Sequence, residues 1–144
     1  MRYHLPQPYR DLDHTADVGV EVEGDTAAEA LARLVLAQSS LLAGGALLVA
    51  GREDRLRVGP GAFVSMAVAL LRELLFRFAT ERVLPAWCEV ISFDPALGAE
   101  VATGLDRFDP ARHAEGLDLK AVTRHQARLA ARGGRWEGRI LYDI

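Results

Sequence analysis

The stretch "LKAVTRHQARLAARGGRWEGRILYDI" (residues 119–144) decides much of the fold, because it contains a hairpin whose register follows from its turn. Gly133 and Gly134 can both adopt the positive φ angles that a two-residue type I′ turn requires. Arg132 then pairs with Arg135. Continued without interruption, this register places three residues of the first arm opposite the chain end: Thr123 opposite Ile144, Arg124 opposite Asp143 and His125 opposite Tyr142.

Lys120 is the only lysine among 17 basic residues, which indicates a requirement for a compact ammonium charge rather than a planar guanidinium. In this register Lys120 lies on the same face as Asp143, but four residues farther along, or ~13 Å. That distance is too long for an ion pair unless twist or a bulge shortens it. A three-residue loop would instead shift the register by one and place Lys120 on the opposite face.

The stretch "DLDHTADVGVEVEG" (residues 11–24) alternates in polarity from Leu12 and predicts one half-buried strand. Asp13 and Asp17 then share a face. If this strand lies near the chain end, their carboxylates converge with those of Asp143 and the terminus, and such a cluster needs a cation. Oxygen ligands favour Ca²⁺ or Mg²⁺. His14 and His125 would allow zinc, although no close histidine pair or cysteine set supports it. Alternatively, Asp17 caps a turn and the terminus is solvated.

The remaining pattern predicts an α+β fold with a mainly antiparallel sheet and two helices, in one domain spanning residues 1–144. A capping box at Thr26 and Glu29 begins the first helix, which ends at residues 43–45. An apolar segment at residues 60–83 predicts a central second helix. Strands are expected at residues 46–51, 55–59, 86–94 and 99–105, with a turn at 52–54. The strand-helix-strand-strand order occurs twice, which suggests an internal duplication.

Composition argues against several classes of protein, although it does not exclude direct RNA binding. The net charge of −3 provides no broad basic field for nucleic acid. The single cysteine, Cys88, has no partner for a disulfide or a zinc site, and we expect it to be buried in a strand. No signal peptide and no apolar run of ~20 residues is present, so we expect a soluble cytoplasmic protein without a membrane partner. No nucleophile elbow, P-loop or dinucleotide fingerprint occurs.

Four stretches together resemble the archease family in order and spacing: "DHTADVGVEVEGDTAAEAL", "LDRFDPARH", "LKAVTRH" and "WEGRILYDI". The resemblance implies a duplicated α+β fold in which one strand-helix-strand-strand module is inserted into the other. It also implies a non-catalytic accessory protein of the RtcB-type RNA ligase, which acts in tRNA splicing and RNA repair. Such proteins promote guanylylation and multiple turnover of the ligase, and meet RNA only through it.

The resemblance further implies a set of site residues. The metal ligands would be Asp17, Asp143 and the α-carboxylate of Ile144, and the functionally important lysine would be Lys120. The family position after "KAVT" is usually aromatic, whereas here it is Arg124, which would compete with the ion beside Asp143. The roles of Asp13 and His14 stay open. Two alternatives remain: a small metal-dependent hydrolase with Asp17 or His14 as its base, and a chaperone-like binding module.

Overall fold

The computed structural model describes residues 1–13, 17–44 and 49–144, and in these residues the chain forms two helices and eight strands. The first sheet has the strand order β1-β5-β6-β4, and the second has the order β2-β3-β8-β7. All pairings are antiparallel. The elements are β1 Arg2–His4, β2 Arg10–Asp13, β3 Asp17–Gly24, α1 Ala27–Leu42, β4 Arg52–Val58, α2 Phe63–Glu81, β5 Val83–Asp94, β6 Gly98–Arg107, β7 Ala121–Arg132 and β8 Arg135–Asp143.

The element order confirms the predicted α+β class and shows how the repeated module is built. The unit β4-α2-β5-β6 lies in the chain between α1 and β7, so it is inserted into the unit β3-α1-β7-β8. In each unit the last strand lies between the other two: β8 pairs with β3 and β7, and β6 pairs with β4 and β5. β1 and β2 each add one edge strand to a sheet. The insertion places the two ends of the outer unit side by side in the second sheet.

The helix α1 forms the centre of the core. The Thr26 side chain accepts a hydrogen bond from the Glu29 N–H at 3.0 Å, and the Glu29 carboxylate accepts one from the Asp25 N–H at 2.9 Å, so the predicted capping box is present. From Ala30 to Leu42 every residue except Arg33 is buried. The more completely buried helix is therefore α1, although α2 also contacts strands of both sheets.

Two strand predictions are wrong. Residues 12–23 do not form one strand, because β2 and β3 are antiparallel partners in which Leu12 faces Gly19 and Asp13 faces Val18. The turn expected at residues 52–54 is the start of β4, whose Arg52 pairs with Leu105. An edge strand tolerates such a charged sequence, because one side of it faces solvent. Half of the strand expected at residues 46–51 lies outside the described residues, and residues 49–51 are not in a strand.

The single cysteine is buried in a strand, as predicted, and both tryptophans pack against other side chains. Cys88 is fully buried, and burial raises the pKa of its thiol to about 12. The guanidinium of Arg2 lies 3.6 Å above the centre of the Trp87 ring. Trp136 packs edge-on against Phe63 with ring centres 5.1 Å apart. Within the described ranges, neither helix is apolar over a length that would cross a bilayer.

The loop between β6 and β7 closes the C-terminal end of α1. The N–H groups of Gly116 and Leu117 donate to the carbonyls of Leu42 and Leu41 at 3.2 and 2.9 Å. These bonds satisfy two carbonyls that a helix end leaves without an intrahelical partner. His113 in this loop is buried, with its Nε2 3.2 Å from the Asp106 carboxylate. This loop is thus a packed part of the fold.

Asp106 makes the stability of this loop dependent on pH. Burial by itself raises the pKa of Asp106, but hydrogen bonds from the Val49 N–H and the Arg112 guanidinium outweigh it, so the pKa is lowered. A lowered pKa stabilises the fold above the pKa of the unfolded chain, and this stability is lost as pH falls through the folded value.

We therefore expect the free energy of unfolding to fall below about pH 4, the ordinary range of aspartate. Asp106→Asn is expected to reduce this slope without removing it, because the pKa of Asp109 is lowered as well. Urea unfolding followed by circular dichroism between about pH 6 and pH 2 measures both slopes. Identical slopes for the two proteins would contradict this assignment.

Candidate functional site

The central feature of the site is a direct pairing of two aspartates. In the ladder between β3 and β8, Asp17 is the partner of Asp143. Directly opposed residues share a face and hold their Cβ atoms about 5 Å apart. Like charges in such a pair repel each other unless a cation lies between them. We call this pair, together with the adjoining Ile144, the acidic end of the second sheet.

The strand β7 brings a third segment to the acidic end. On the other side of β8, Asp143 is the partner of Ala121, and the Lys120 N–H donates to the Asp143 carbonyl at 2.8 Å. Lys120 itself is exposed and lies just before the first residue of β7. The structure therefore brings together Asp17, Lys120 and Asp143, which are far apart in the chain.

A bulge in β7 explains why the predicted register is only half correct. Near the turn, Gly133 and Gly134 have φ angles of 59° and 81°, and Arg132 pairs with Arg135 as predicted. Between Thr123 and Arg128, however, β7 advances five positions while β8 advances two, from Arg139 to Leu141. Three extra residues thus enter β7, and Gln126 adopts a positive φ of 55°.

The bulge changes every pairing predicted beyond it. Thr123 faces Leu141 rather than Ile144, and the partner of Tyr142 is Val122 rather than His125. Asp143 is paired with Ala121, so the prediction that Arg124 lies opposite it is wrong. Lys120 precedes the first residue of β7, so the ladder does not assign it to a face of the sheet, and the bulge removes the ~13 Å gap that an unbulged ladder would leave.

Arg124 points away from the acidic end. Its guanidinium donates to the Ser65 hydroxyl on α2 at 3.0 Å. Arg139 also stabilises the bulge, because its guanidinium donates to the Gln126 amide oxygen at 2.7 Å. The competition between Arg124 and a metal ion that we expected from the unbulged register therefore does not arise.

The neighbour of Asp143 is anchored in the core. Tyr142 is fully buried, and its hydroxyl donates to the Gln38 amide oxygen at 2.8 Å. The Gln38 amide group donates in turn to the Leu71 carbonyl at 3.2 Å. Burial raises the pKa of Tyr142, so this hydroxyl stays protonated. Gln38 was not singled out from the sequence, although a polar residue among the apolar positions of α1 is a usable signal.

Asp13 and His14 are the other two residues that the sequence offers as ligands. Asp13 lies opposite Val18, one position along β3 from Asp17, so the premise that the two aspartates follow each other in one strand is wrong. His14 lies outside the described residues. Across the three described ranges, no group of three or more histidine, cysteine, aspartate or glutamate side chains has a metal-binding arrangement. Among the described residues, the α-carboxylate of Ile144 is the acidic group next in the chain to Asp143.

A cleft of about 330 Å³ opens elsewhere on the second sheet, beside residues 21–23 of β3 and away from Asp17. Its lining is rich in charge, but arginines and glutamates balance each other. Arg10 pairs with Glu21, while Arg128 pairs with Glu137 at 3.7 Å. Cavity volume alone therefore does not identify the acidic end, which lies at the exposed end of a ladder.

Comparison with known proteins decides the family. The sequence model of the Archease protein family matches residues 9–144. The chain belongs to this family. A "Protein archease-like" of Dictyostelium discoideum is 28% identical over 92% of this chain and 91% of its own length. A "Protein archease" of Methanopyrus kandleri is 27% identical over 95% of this chain and 99% of its own.

Solved structures of archease relatives have the same fold. The solution structure of protein 1598 from Methanobacterium thermoautotrophicum superposes with a TM-score of 0.77 at 25% identity, covering 94% of this chain and 98% of that one. A crystal structure from Thermotoga maritima, described as an archease and possible chaperone, has a TM-score of 0.63 at 19% identity and covers 99% of both chains. The second likeness concerns the fold alone.

Proposed function

We propose that this chain is a non-catalytic accessory protein that activates an RtcB-type RNA ligase in tRNA splicing or RNA repair. One observation carries the proposal: the ladder pairs Asp17 with Asp143 and binds the Lys120 backbone to Asp143. These are the positions that the archease resemblance implicates in activation. Membership of the family supports their joint use, and their convergence supports a single site.

We propose a divalent ion, Ca²⁺ or Mg²⁺, as the ligand of the acidic end. Two carboxylates on one face fit a hard cation, because both ions prefer oxygen ligands. Asp17, Asp143 and the α-carboxylate of Ile144 would hold it. When bound, such an ion neutralises charge that develops on phosphate oxygens during nucleotidyl transfer.

The chain's own groups determine how the acidic end is presented to a partner. The buried Tyr142 and the hydrogen bond from Lys120 hold the Asp143 backbone on both sides. Asp143, Ile144 and Lys120 are all exposed, so a partner can reach them. In this proposal the Lys120 ammonium supplies a mobile positive charge next to fixed carboxylates, which suits it to contact phosphate or carboxylate groups of the partner.

Multiple-turnover ligation tests the proposal. With the ligase limiting and RNA in excess, we expect product to exceed one equivalent of ligase only when this protein is present. The protein incubated alone with the RNA and with nucleotide phosphates is expected to release no product. Hydrolysis by the protein alone would favour the hydrolase alternative. Stimulation that an unrelated binding protein of equal size reproduces would favour a general chaperone-like module.

Extending the chain beyond Ile144 tests the third ligand. Two added glycines convert the Ile144 carboxylate into a peptide carbonyl and move the free carboxylate away from the site. We expect weaker ion binding in calorimetry, by about tenfold, the scale of losing a metal-site interaction. The thermal midpoint is expected to stay the same, since Ile144 lies after the last residue of β8. Equal ion affinity with and without the extension would exclude this carboxylate as a ligand.

A further inference from the structure

One face of α2 carries a large apolar side chain in solvent. Phe76 is 61% exposed, although it lies in the middle of the second half of the helix. Ala69, Arg72 and Ala79 are exposed as well. These four residues are spaced by three or four and therefore lie along one side of the helix. We call them the α2 strip. Single exposed apolar side chains are common on protein surfaces, but aromatic residues and arginine together are enriched at interfaces.

Two hydrogen bonds fix the position of the α2 strip relative to the acidic end. Arg124 contacts Ser65 near the start of α2, and the Arg72 guanidinium donates to the Val122 carbonyl at 3.1 Å farther along. Helix and strand therefore run in opposite directions. Four helical residues beyond Arg72 cover ~6 Å, and two strand residues before Val122 cover ~6.6 Å. Phe76 therefore lies toward the end of β7 that pairs with Asp143, which is the end where Lys120 is located.

The charges around the strip differ between its two flanks. On the flank facing β4, Arg77 is neutralised by Asp54 and Glu73. On the flank facing β7, the side chains of Arg72, Lys120 and Arg124 form no ion pair with any residue in the described part of the chain. Three cations without an ion-pair partner among the described residues therefore lie along this flank, with Arg124 near the start of the strip and Arg72 and Lys120 toward Phe76.

We infer that the α2 strip is a docking surface for a protein whose contact face has an apolar pocket with an acidic rim. Phe76 fills the pocket, and the cations on the β7 flank meet the carboxylates. This inference rests on the proposed function, in which that protein is the ligase. Docking through the strip would bring the acidic end toward the partner, because Phe76 lies toward the end of β7 where Lys120 is located.

Measured affinity tests the docking surface separately from activation. We expect Phe76→Ala to weaken binding to the immobilised ligase by about tenfold or more, as truncation of an aromatic anchor does. Stimulation by this variant is expected to return at saturating concentration, since the acidic end is intact. Ala69→Glu, which puts a negative charge on the strip, is expected to weaken binding too. Leu97→Ala is the control, because Leu97 is 82% exposed in the turn between β5 and β6.

The outcomes are distinguishable. The inference is supported if wild-type binding to the ligase weakens as salt rises, and if both strip variants but not Leu97→Ala lose affinity. Unchanged affinity of Phe76→Ala and Ala69→Glu, with normal stimulation by wild type, overturns the docking surface and leaves the proposed function standing. Wild type that neither binds nor stimulates the ligase overturns both. If light scattering shows a wild-type dimer that Phe76→Ala abolishes, the strip binds a second copy of the chain and the inference is overturned.

Discussion

Asp143→Asn is expected to reduce stimulation of the ligase by about tenfold or more, the scale seen when a metal site loses a charged ligand interaction. Asparagine keeps the size of the side chain and one of its two oxygens, so the strand pairing with Asp17 and Ala121 is preserved. Only the negative charge is removed. Since Asp17 lies directly opposite on the same face, Asp17→Asn is expected to have the same effect.

A matched control separates this charge effect from a general loss of acidic surface. Asp25 lies beyond the other end of β3, where its exposed carboxylate pairs with Arg135 at 2.9 Å. Asp25→Asn removes the same charge from beyond the opposite end of β3. Because the ion pair between Asp25 and Arg135 is exposed, its loss is expected to change stability little. We expect normal stimulation, measured as turnovers per ligase under the same conditions. Equal activity of the Asp143, Asp17 and Asp25 variants would exclude a special role for the acidic end.

Gly116→Ala is expected to destabilise the fold by about 3 kcal/mol or more, above the usual cost of overpacking. A Cβ atom at this position would lie 2.0 Å from the Leu41 carbonyl oxygen and 2.6 Å from the Leu42 carbonyl oxygen. Both contacts are with backbone atoms at the end of α1, which cannot move aside as a flexible side chain can. The added methyl group would also disrupt the hydrogen bond that Gly116 donates to Leu42.

The control for this substitution is Gly59→Ala. A Cβ atom at Gly59 would meet no atom within 4 Å, so we expect a change within about 0.5 kcal/mol. Urea unfolding of both variants measures the difference in free energy. A Gly116→Ala protein as stable as the Gly59→Ala protein would show that the loop does not pack against α1 as described.

Local signals in the sequence predicted local structure well. The capping box at Thr26 and the double-glycine turn are short-range devices, and both occur as predicted. From that turn, the register holds as far as Arg128 and Arg139. It fails beyond them because contacts from α2 hold the bulge, including the bond from Arg124 to Ser65, which is 59 positions away in the chain. No pattern within the hairpin encodes such a contact.

The same difference between local signals and long-range contacts applies to the candidate site. Asp17 and Asp143 could be selected from the sequence by their residue types and by the archease resemblance, but their direct pairing depends on β3 and β8 being neighbours. Periodicity does not determine which strands are neighbours, since β3 and β8 are separated by the whole inserted module. Periodicity also missed the break between β2 and β3, because apolar alternation continues across the hairpin.

Calorimetric titration with Ca²⁺ tests most directly whether Asp17 and Asp143 form one ion site. Wild type, Asp17→Asn, Asp143→Asn and Asp25→Asn are titrated in the same buffer, with Mg²⁺ in a parallel series. We expect wild type and Asp25→Asn to bind one ion per chain, and the other two variants to bind it with an affinity lower by about tenfold or more. Equal affinity in all four proteins, or no binding of either ion by wild type, would contradict it.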